Sequence, residues 1–162
     1  MERVVLTGSD LTLAEVVAVA RRRSRVELAP AAIEQMARAR DVAEQQIAGG
    51  ASAYGVTTGV GSRKSFAADA PGHDRLLVRH HVTAQGSPAA HAIVRATALR
   101  LANAFASGTT VVRPALAQLI VDALNADRLP VVRSLGSIGL SDLAQMADLA
   151  DGILGNFELA RG

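Results

Sequence analysis

The chain has 162 residues, of which 49% are hydrophobic and 20% charged, and its formal net charge is +2. This apolar share is ample for a core and excludes an intrinsically disordered chain. The absence of cysteine excludes disulfide frameworks, cysteine-ligated zinc and thiol nucleophiles, and the 2% of aromatic residues are too few for base stacking on single-stranded nucleic acid.

The scarcity of aromatic residues predicts an aliphatic, alanine-rich core, which favours helices over a β-sandwich or barrel. Residues 3–6 predict a short strand, and the apolar spacing over 11–23 predicts the first helix. Pro30 begins a second predicted helix, which ends at the glycine pair 49–50. The arginines at positions 21, 22, 23 and 25 are interpreted as a solvated helix end rather than a nucleic-acid patch.

The pattern changes in the loop 52–61, which has three glycines, no helical stripe and the only tyrosine of the chain, Tyr54. The next predicted elements are helices over 74–84, 89–107 and 114–125, and an extended segment over 129–132. After a turn, Ser141 is the predicted N-cap of a last helix, with Asp142 in its first turn. These elements predict a mainly α protein with six or seven helices and one conspicuous glycine-rich loop.

The N-terminal residues show no basic segment followed by an apolar run, and no apolar stretch reaches the length that a bilayer requires. We therefore expect a cytoplasmic protein with neither a membrane nor nucleic acid among its partners.

The loop from Tyr54 to Gly61 is the first of three segments whose sequences suggest more than a structural role. Its glycines could cradle a phosphate, but the lysine and the strand–loop–helix context of a P-loop are missing. A tyrosine on a mobile loop is a candidate acid/base and lid residue. Taken alone, however, this segment is more typical of an ordinary surface turn.

Two further segments contain groups that could bind a ligand: the adjacent histidines at 80 and 81, and the turn at 136–143. His80 and His81 are adjacent on a helix and point about 100° apart, so they do not chelate one ion together. His73 and His91 complete no ligand set, and we predict no metal site. The segment 136–143 is a turn that leads into a helix N-terminus, where backbone N–H groups could face an anion.

Four segments, taken in order, are similar to the motifs of one family: YGVTTGVG, RLLVRHHVTAQG, RLANAFASGTTVVRP and LPVVRSLGSIGLSDLAQMADLA. From about Val4 to its last residue, the chain resembles the histidine and aromatic amino-acid ammonia-lyases. The resemblance implies the mainly helical, fumarase/aspartase-like fold and an assembly whose active sites draw on several subunits. It also implies removal of ammonia from histidine, phenylalanine or tyrosine, or migration of the amino group.

The resemblance assigns roles to individual residues. Tyr54 matches the catalytic acid/base of the family, and His80 and His81 match its substrate-selectivity pair. Two imidazoles there suggest a substrate with a hydrogen-bonding group, because a hydrocarbon would leave both unsatisfied. The residues that match the lid loop are Gly55, Thr58, Gly59 and Gly61.

The chain departs from the family at the electrophile, 4-methylideneimidazol-5-one, which forms from an internal Ala-Ser-Gly. This chain has Gly139, Leu140, Ser141 and Asp142 there, so the alanine is replaced and the glycine is missing. Cyclisation needs the unhindered nitrogen of that glycine, whereas the nitrogen here belongs to Asp142. We therefore predict that methylideneimidazolone is absent and expect no other cofactor.

The second departure is length, because family members continue beyond this point into long central helices that hold the rest of the active site. We therefore expect residues 1–162 to form one domain that a second lyase-like polypeptide completes. The predicted function is the small subunit of a split enzyme that acts on a small aromatic or amino-acid-like substrate by Tyr/His acid-base chemistry. That chemistry could be an elimination, isomerisation, cyclisation or condensation. A non-catalytic stabilising or regulatory partner and a truncated nonfunctional homologue remain as alternatives.

Overall fold

The computed structural model describes residues 3–68, 71–139 and 142–155, and the backbone of 159–161. Within these residues the fold is mainly α, as predicted. The helices are α1 (Leu13–Arg22), α2 (Pro30–Ala48), α3 (His73–His80), α4 (His91–Ala106), α5 (Pro114–Asn125) and α6 (Leu143–Ile153). The strands are β1 (Arg3–Leu6), β2 (Arg25–Leu28), β3 (Gln85–Pro88), β4 (Arg128–Pro130), β5 (Arg133–Leu135) and β6 (Leu159–Arg161). None of the described helices is both long and apolar enough to cross a bilayer.

Helix α1 begins at a capping box. The Thr12 hydroxyl accepts a hydrogen bond from the Glu15 backbone N–H, and the Glu15 carboxylate accepts one from the Thr12 N–H at 2.8 Å. The helix ends at Arg23, whose backbone is left-handed with φ 58°. Its guanidinium lies 3.0 Å from the Asp127 carboxylate. The predicted solvated arginine cluster therefore lies around the C-terminus of α1, where the negative end of the helix dipole stabilises positive charge.

Strands β1 and β2 form a short parallel sheet, with Val4 paired to Val26 and Leu6 to Leu28. All four side chains are buried in the core. The free edge of β2 is closed by the last residue of α5, because the Asn125 side chain donates to the Val26 carbonyl at 2.8 Å and accepts from the Val26 N–H at 2.9 Å. One side-chain amide thus satisfies the backbone groups that a third strand would otherwise pair.

The core is aliphatic, as the composition predicted, and α4 lies at its centre against α1, α2 and α5. Three alanines of α4, Ala98, Ala102 and Ala106, are fully buried. Spaced four residues apart, they lie on one face of the helix, and their small side chains let neighbouring helices approach closely. Leu99, Ile120 and Leu124 fill the larger spaces of the same cluster.

One charged side chain, Arg95 of α4, lies inside this core with 1% of its surface exposed. Its Nε donates to the Val19 carbonyl at 3.0 Å, and its Nη1 donates to Leu124 at 3.0 Å and to the Asp127 carboxylate at 2.6 Å. Burial lowers the pKa of the Arg95 guanidinium, while the charge of Asp127 acts in the opposite direction. Arg95 therefore ties α4 to the ends of α1 and α5.

Two predicted boundaries are wrong. The helix predicted over 74–84 ends at His80, because Gln85–Pro88 forms strand β3 antiparallel to β5. The N-cap of α6 is Asp142 rather than Ser141, since the Asp142 carbonyl accepts the hydrogen bond from Met146 N–H at 3.2 Å. Asp142 is therefore outside the first turn; its backbone is left-handed, and its side chain makes no cap hydrogen bond. Leu140 and Ser141 lie outside the described residues.

Candidate functional site

The glycine-rich loop is a small hairpin closed by its own backbone. Thr58 and Ala67 form an antiparallel bridge. On either side of it, the Gly59 N–H donates to Phe66 O at 3.0 Å, and the Ala68 N–H donates to Thr57 O at 2.8 Å. A 3₁₀ turn, Gly61–Arg63, forms the tip. The predicted lid segment therefore has a defined hairpin conformation.

Two loop glycines are required by this conformation. A Cβ at position 59 would lie 2.6 Å from the Arg63 carbonyl oxygen, too close for any side chain. Gly61 has φ +58°, a left-handed conformation that other residues adopt only with strain. Glycine at these positions lets the tip fold back tightly over the Thr58–Ala67 pair.

Tyr54 precedes the hairpin in a tight turn. The Thr57 hydroxyl accepts from the Ala53 N–H at 2.8 Å, and the Thr57 N–H donates to Ala53 O at 2.9 Å. The Tyr54 side chain is 66% exposed, and its phenolic oxygen accepts a hydrogen bond from the Gly61 N–H at 2.9 Å. Because the oxygen accepts in this contact, the phenolic proton stays available for transfer to another group.

Helix α3 presents its histidines along one side. His73 and His80 are seven residues apart, which places them on the same face about two turns from each other. The Nδ1 of His81, at the C-cap, lies 2.7 Å from the Leu77 carbonyl oxygen. Since a carbonyl can only accept, Nδ1 is protonated and donates to it, so Nε2 is the ring nitrogen that can face a ligand.

The loop tip and α3 form the walls of a common, half-open pocket of about 560 Å³. Its volume lies within the range of roughly 300–1,000 Å³ that is typical of small-molecule sites. The structure thus brings one lid glycine together with both predicted selectivity histidines. The residues that line the pocket are Gly59, Val60, Ser62, Arg63, His73, Leu76, Leu77, His80 and His81.

The predicted site residues do not all meet at this pocket. Tyr54, Gly55, Thr58 and Gly61 belong to the same loop but do not line it. Asp142 lies at the start of α6, and α6 packs against α3. The structure therefore places the lid and the histidines side by side, with the tyrosine at the foot of the hairpin.

Among the lining residues that sequence reasoning missed, two have titratable side chains, Arg63 and His73. His73 was considered only as a metal ligand, because the predicted helix began one residue after it, at position 74, whereas α3 begins at His73 itself. The described residues contain no group of three or more acidic or histidine side chains arranged to hold a metal ion. No spacing rule pointed to Arg63, because its position depends on how the hairpin folds back.

Comparison with known proteins is decisive at the level of the family. A family model described as aromatic amino acid lyase matches residues 11–162. The chain belongs to this family. A histidine ammonia-lyase of Deinococcus radiodurans is 40% identical over 155 residues, covering 93% of this chain and 30% of that protein. A histidine ammonia-lyase of Streptomyces griseus is 39% identical over 162 residues, covering 98% of this chain and 32% of that protein.

Solved structures agree with the lyase-family fold. The ergothionase of Treponema denticola superposes with a TM-score of 0.93 at 26% identity, over 98% of this chain and 32% of its own. The tyrosine aminomutase of Streptomyces globisporus superposes with a TM-score of 0.92 at 27% identity, over 99% of this chain and 31% of its own. The resemblance inferred from the motifs is therefore confirmed. The chain spans about a third of the length of these relatives.

Proposed function

We propose that this chain is the small subunit of a split lyase-family enzyme that acts on an aromatic or amino-acid-like compound. The observation that carries the proposal is the shared pocket of the glycine-rich hairpin and the histidine end of α3. Relatives named for histidine ammonia-lyase and tyrosine aminomutase activity support a substrate of this class. The lack of cysteine is compatible with work in the reducing cytoplasm.

The chemistry assigned to this chain is proton transfer and substrate orientation. Tyr54 acts as the acid/base, with its oxygen oriented by the Gly61 N–H. His80 and His81 bind a polar substituent of the substrate in the pocket. The hairpin tip already forms one wall of the pocket. A closing movement of the hairpin over the pocket would therefore bring Tyr54 to the substrate.

The proposal does not include methylideneimidazolone. Cyclisation requires a glycine nitrogen two positions after the alanine, and the residue after Ser141 is Asp142. These residues do not fit the group, and no step of the proposed chemistry passes through it. Elimination, isomerisation, cyclisation or condensation by acid-base catalysis remains open to the enzyme. Intact-mass measurement of the purified chain is expected to give the unmodified mass, and a loss of two waters would contradict this part.

A second lyase-like polypeptide is proposed to complete the enzyme. Ile93, 60% exposed, borders an apolar pocket of about 270 Å³ between α4 and α6. Ile138 is 88% exposed in the connection to α6, and Leu143 is 49% exposed at the start of that helix. The buried Oε1 of Gln145, which lines the same pocket, has no hydrogen-bond partner among the described residues. Exposed apolar side chains beside an unsatisfied polar atom are typical of an interface.

The deciding experiment is the substitution Tyr54→Phe in the co-expressed complex of this chain with the lyase-like polypeptide. We expect kcat to fall at least about 100-fold, because general acid/base groups contribute roughly 10²–10⁴-fold. The matched control is Phe66→Leu, which removes an equally exposed ring (66%) from the same hairpin and should leave kcat within about twofold. Full activity of the Tyr54→Phe complex, at unchanged assembly mass, would remove the catalytic role.

The second candidate function is a non-catalytic stabilising or regulatory partner of a lyase-like protein. It is favoured by the position of Tyr54, which is largely exposed and does not line the pocket. The two candidates predict different outcomes for the same complex. A catalytic subunit makes turnover sensitive to Tyr54 and His81, whereas a stabilising partner changes only the thermal stability of the complex.

A further inference from the structure

A second pocket, of about 460 Å³, lies between the β1–α1 connection and the C-terminal end of α4. This α1–α4 pocket shares no lining residue with the pocket of the hairpin and α3, and the proposed function does not use it. Gly8 lets its two walls approach, because a Cβ at that position would overlap the Ser107 backbone nitrogen. The polar residues that line the α1–α4 pocket are Ser9, Thr12, Arg100, Asn103, Ser107 and Thr109.

Asn103 is the buried polar residue of this pocket, with 6% of its surface exposed. Its Oδ1 accepts a hydrogen bond from the Gly8 N–H at 3.1 Å, and this contact fixes the orientation of the amide. The Nδ2 of Asn103 has no hydrogen-bond partner among the residues that the structure describes. Since buried polar groups are normally paired, this donor indicates a place for an acceptor that the described chain does not supply.

Arg100 adds a positive charge to the same wall. It precedes Asn103 by three positions on α4, so the two side chains lie on the same side of the helix. Its guanidinium is exposed and has no ion-pair or hydrogen-bond partner within the described part of the chain. On the facing wall, the N–H of Leu13, the first residue of α1, has no partner within its helix. All three groups only donate hydrogen bonds, so together they favour an anionic ligand.

Two carboxylates lie close to this pocket in the sequence, but both are already hydrogen-bonded. Asp10 accepts from the Thr7 hydroxyl. Glu15 accepts from the Thr12 N–H at 2.8 Å and from the Thr12 hydroxyl at 2.7 Å. Neither carboxylate lines the pocket, so the charged side chain that its described lining presents to a ligand is that of Arg100.

An apolar groove continues from the α1–α4 pocket along α4. The groove and the pocket share Val16, Arg100 and Ala104, and the groove adds the apolar side chains of Leu101 and Met146. A ligand whose anionic group binds beside Arg100 can therefore place an apolar part in this groove, where it loses contact with water.

We propose that the α1–α4 pocket binds the phosphate group of a small phosphomonoester, with the apolar part of the ester in the adjoining groove. A phosphate suits donors on two facing walls, because it offers three strong acceptor oxygens and up to two negative charges. The α4 side chains bind it from one wall, and the start of α1 binds it from the other. This binding site is independent of the proposed function, since it uses neither the hairpin nor α3.

The test uses the full chain, labelled with ¹⁵N, and measures Kd by NMR at neutral pH and constant ionic strength for phenyl phosphate, inorganic phosphate and phenol. Phenyl phosphate is expected to bind about tenfold more tightly than inorganic phosphate, because its ring is buried in the groove. Phenol should bind at least about tenfold more weakly than phenyl phosphate, since it lacks the anionic group. The shifted amides should be those of Gly8, Ser9, Leu13 and Ser107.

Two substitutions separate binding from structure. Arg100→Gln, at an exposed position, should raise the Kd of phenyl phosphate at least about tenfold. Asn103→Asp keeps an acceptor for the Gly8 N–H but replaces the free donor by a second carboxylate oxygen, so it should also weaken binding at least about tenfold. An unchanged Gly8 amide shift in the unliganded variant verifies that the structural contact persists, and if this variant does not fold, Arg100→Gln decides alone.

The matched control is Arg21→Gln, which removes an exposed arginine of α1 that lines neither pocket. It should keep the Kd of phenyl phosphate within about twofold, because the site and not the overall charge binds the ligand. The proposal is overturned if phenyl phosphate does not bind, if phenol binds as tightly, if Arg100→Gln leaves the Kd unchanged, or if Arg21→Gln weakens binding as much as Arg100→Gln does. Equal Kd values for phenyl phosphate and inorganic phosphate would overturn the role of the groove.

Discussion

Helix α4, at the centre of the core, and helix α3, which borders the pocket, differ in how many of their side chains they bury. Helix α4 buries seven residues, and two of these, Arg95 and Asn103, are polar. Both are hydrogen-bonded internally, Arg95 to α1 and α5, and Asn103 to the Gly8 N–H at 3.1 Å. Helix α3 buries none of its residues.

The two helices therefore have different roles in the same chain. In α4, the buried side chains of Arg95 and Asn103 find partners within the protein, so the middle of that helix is stabilised by contacts within the chain. Around α3, the side chain of Arg63 and the Nε2 of His73 have no hydrogen-bond partner among the described residues. Polar groups that a fold leaves unpaired in a pocket are available to a ligand, and this contrast supports the proposed function.

The largest expected effect of a single substitution on stability is that of Arg95→Gln. It should lower the free energy of unfolding by about 3 kcal/mol, because it removes a buried charge that pairs with Asp127. It also removes the guanidinium hydrogen bonds to the carbonyls of Val19 and Leu124. Urea unfolding followed by circular dichroism measures the difference. The matched control, Arg63→Gln, should change it by less than about 0.5 kcal/mol. Equal losses in the two variants would contradict the contrast between core and pocket.

The next effect is that of Asn125→Ala, which removes both hydrogen bonds from the edge of β2. We expect a loss of about 2 kcal/mol, since the N–H and C=O of the fully buried Val26 are then left unpaired. Gln118→Ala, which removes an exposed amide that donates to Asp122, serves as the control on the same helix. Its expected change is below about 0.5 kcal/mol, and a comparable loss there would show that α5 itself is the sensitive element.

The smallest expected effect concerns the surface of α2. Hydrogen bonds from Arg40, and then from Arg113, lower the pKa of the Glu44 carboxyl below its ordinary value of 4.5. A group with a lowered folded-state pKa stabilises the protein above its unfolded pKa and loses that contribution as the pH falls through the folded value. Unfolding measured across this acidic window should show a slightly steeper loss in the unsubstituted chain than in Glu44→Gln. Salt should reduce the difference, because the group is exposed.

The elements that could be predicted from the sequence are those with local start and stop signals. Helix α5 begins at Pro114 and ends at Asn125 as predicted, and α2 begins at Pro30 and ends before Gly49. Proline at a helix start and glycine after its end act through their own backbone, so neighbouring residues suffice to locate them. The strand predicted over residues 3–6 is β1, with the same bounds.

The boundaries that failed depend on distant residues. The segment from His81 to Ala84 contains neither glycine nor proline, and α3 stops there because the following residues pair with β5, about 50 positions later. Ile33 and Val42 are apolar residues of α2, yet they are 38% and 59% exposed. Periodicity located that helix correctly, but it could not tell which side chains the rest of the chain covers.

The residues of the candidate site also divide into those that local motifs identify and those whose position depends on the fold. Tyr54, the loop glycines and the pair His80–His81 were identified from motifs, and their roles stay predictions. Arg63 was not identified, because it lines the pocket only after the chain reverses between Thr58 and Ala67. When a chain reversal brings a residue to a pocket, the sequence next to that residue does not reveal it.

The amide of Asn125 at the edge of β2 has a consequence for how the chain folds. Val26 and Asn125 are 99 positions apart, so the two-stranded sheet acquires its last hydrogen bonds only after α5 has docked. Contacts between such distant residues slow folding, and until they form, the β2 edge offers free N–H and C=O groups to other chains. We therefore expect partly folded molecules to associate through this strand. Once α5 has docked, Asn125 occupies the edge of β2 and this association should stop.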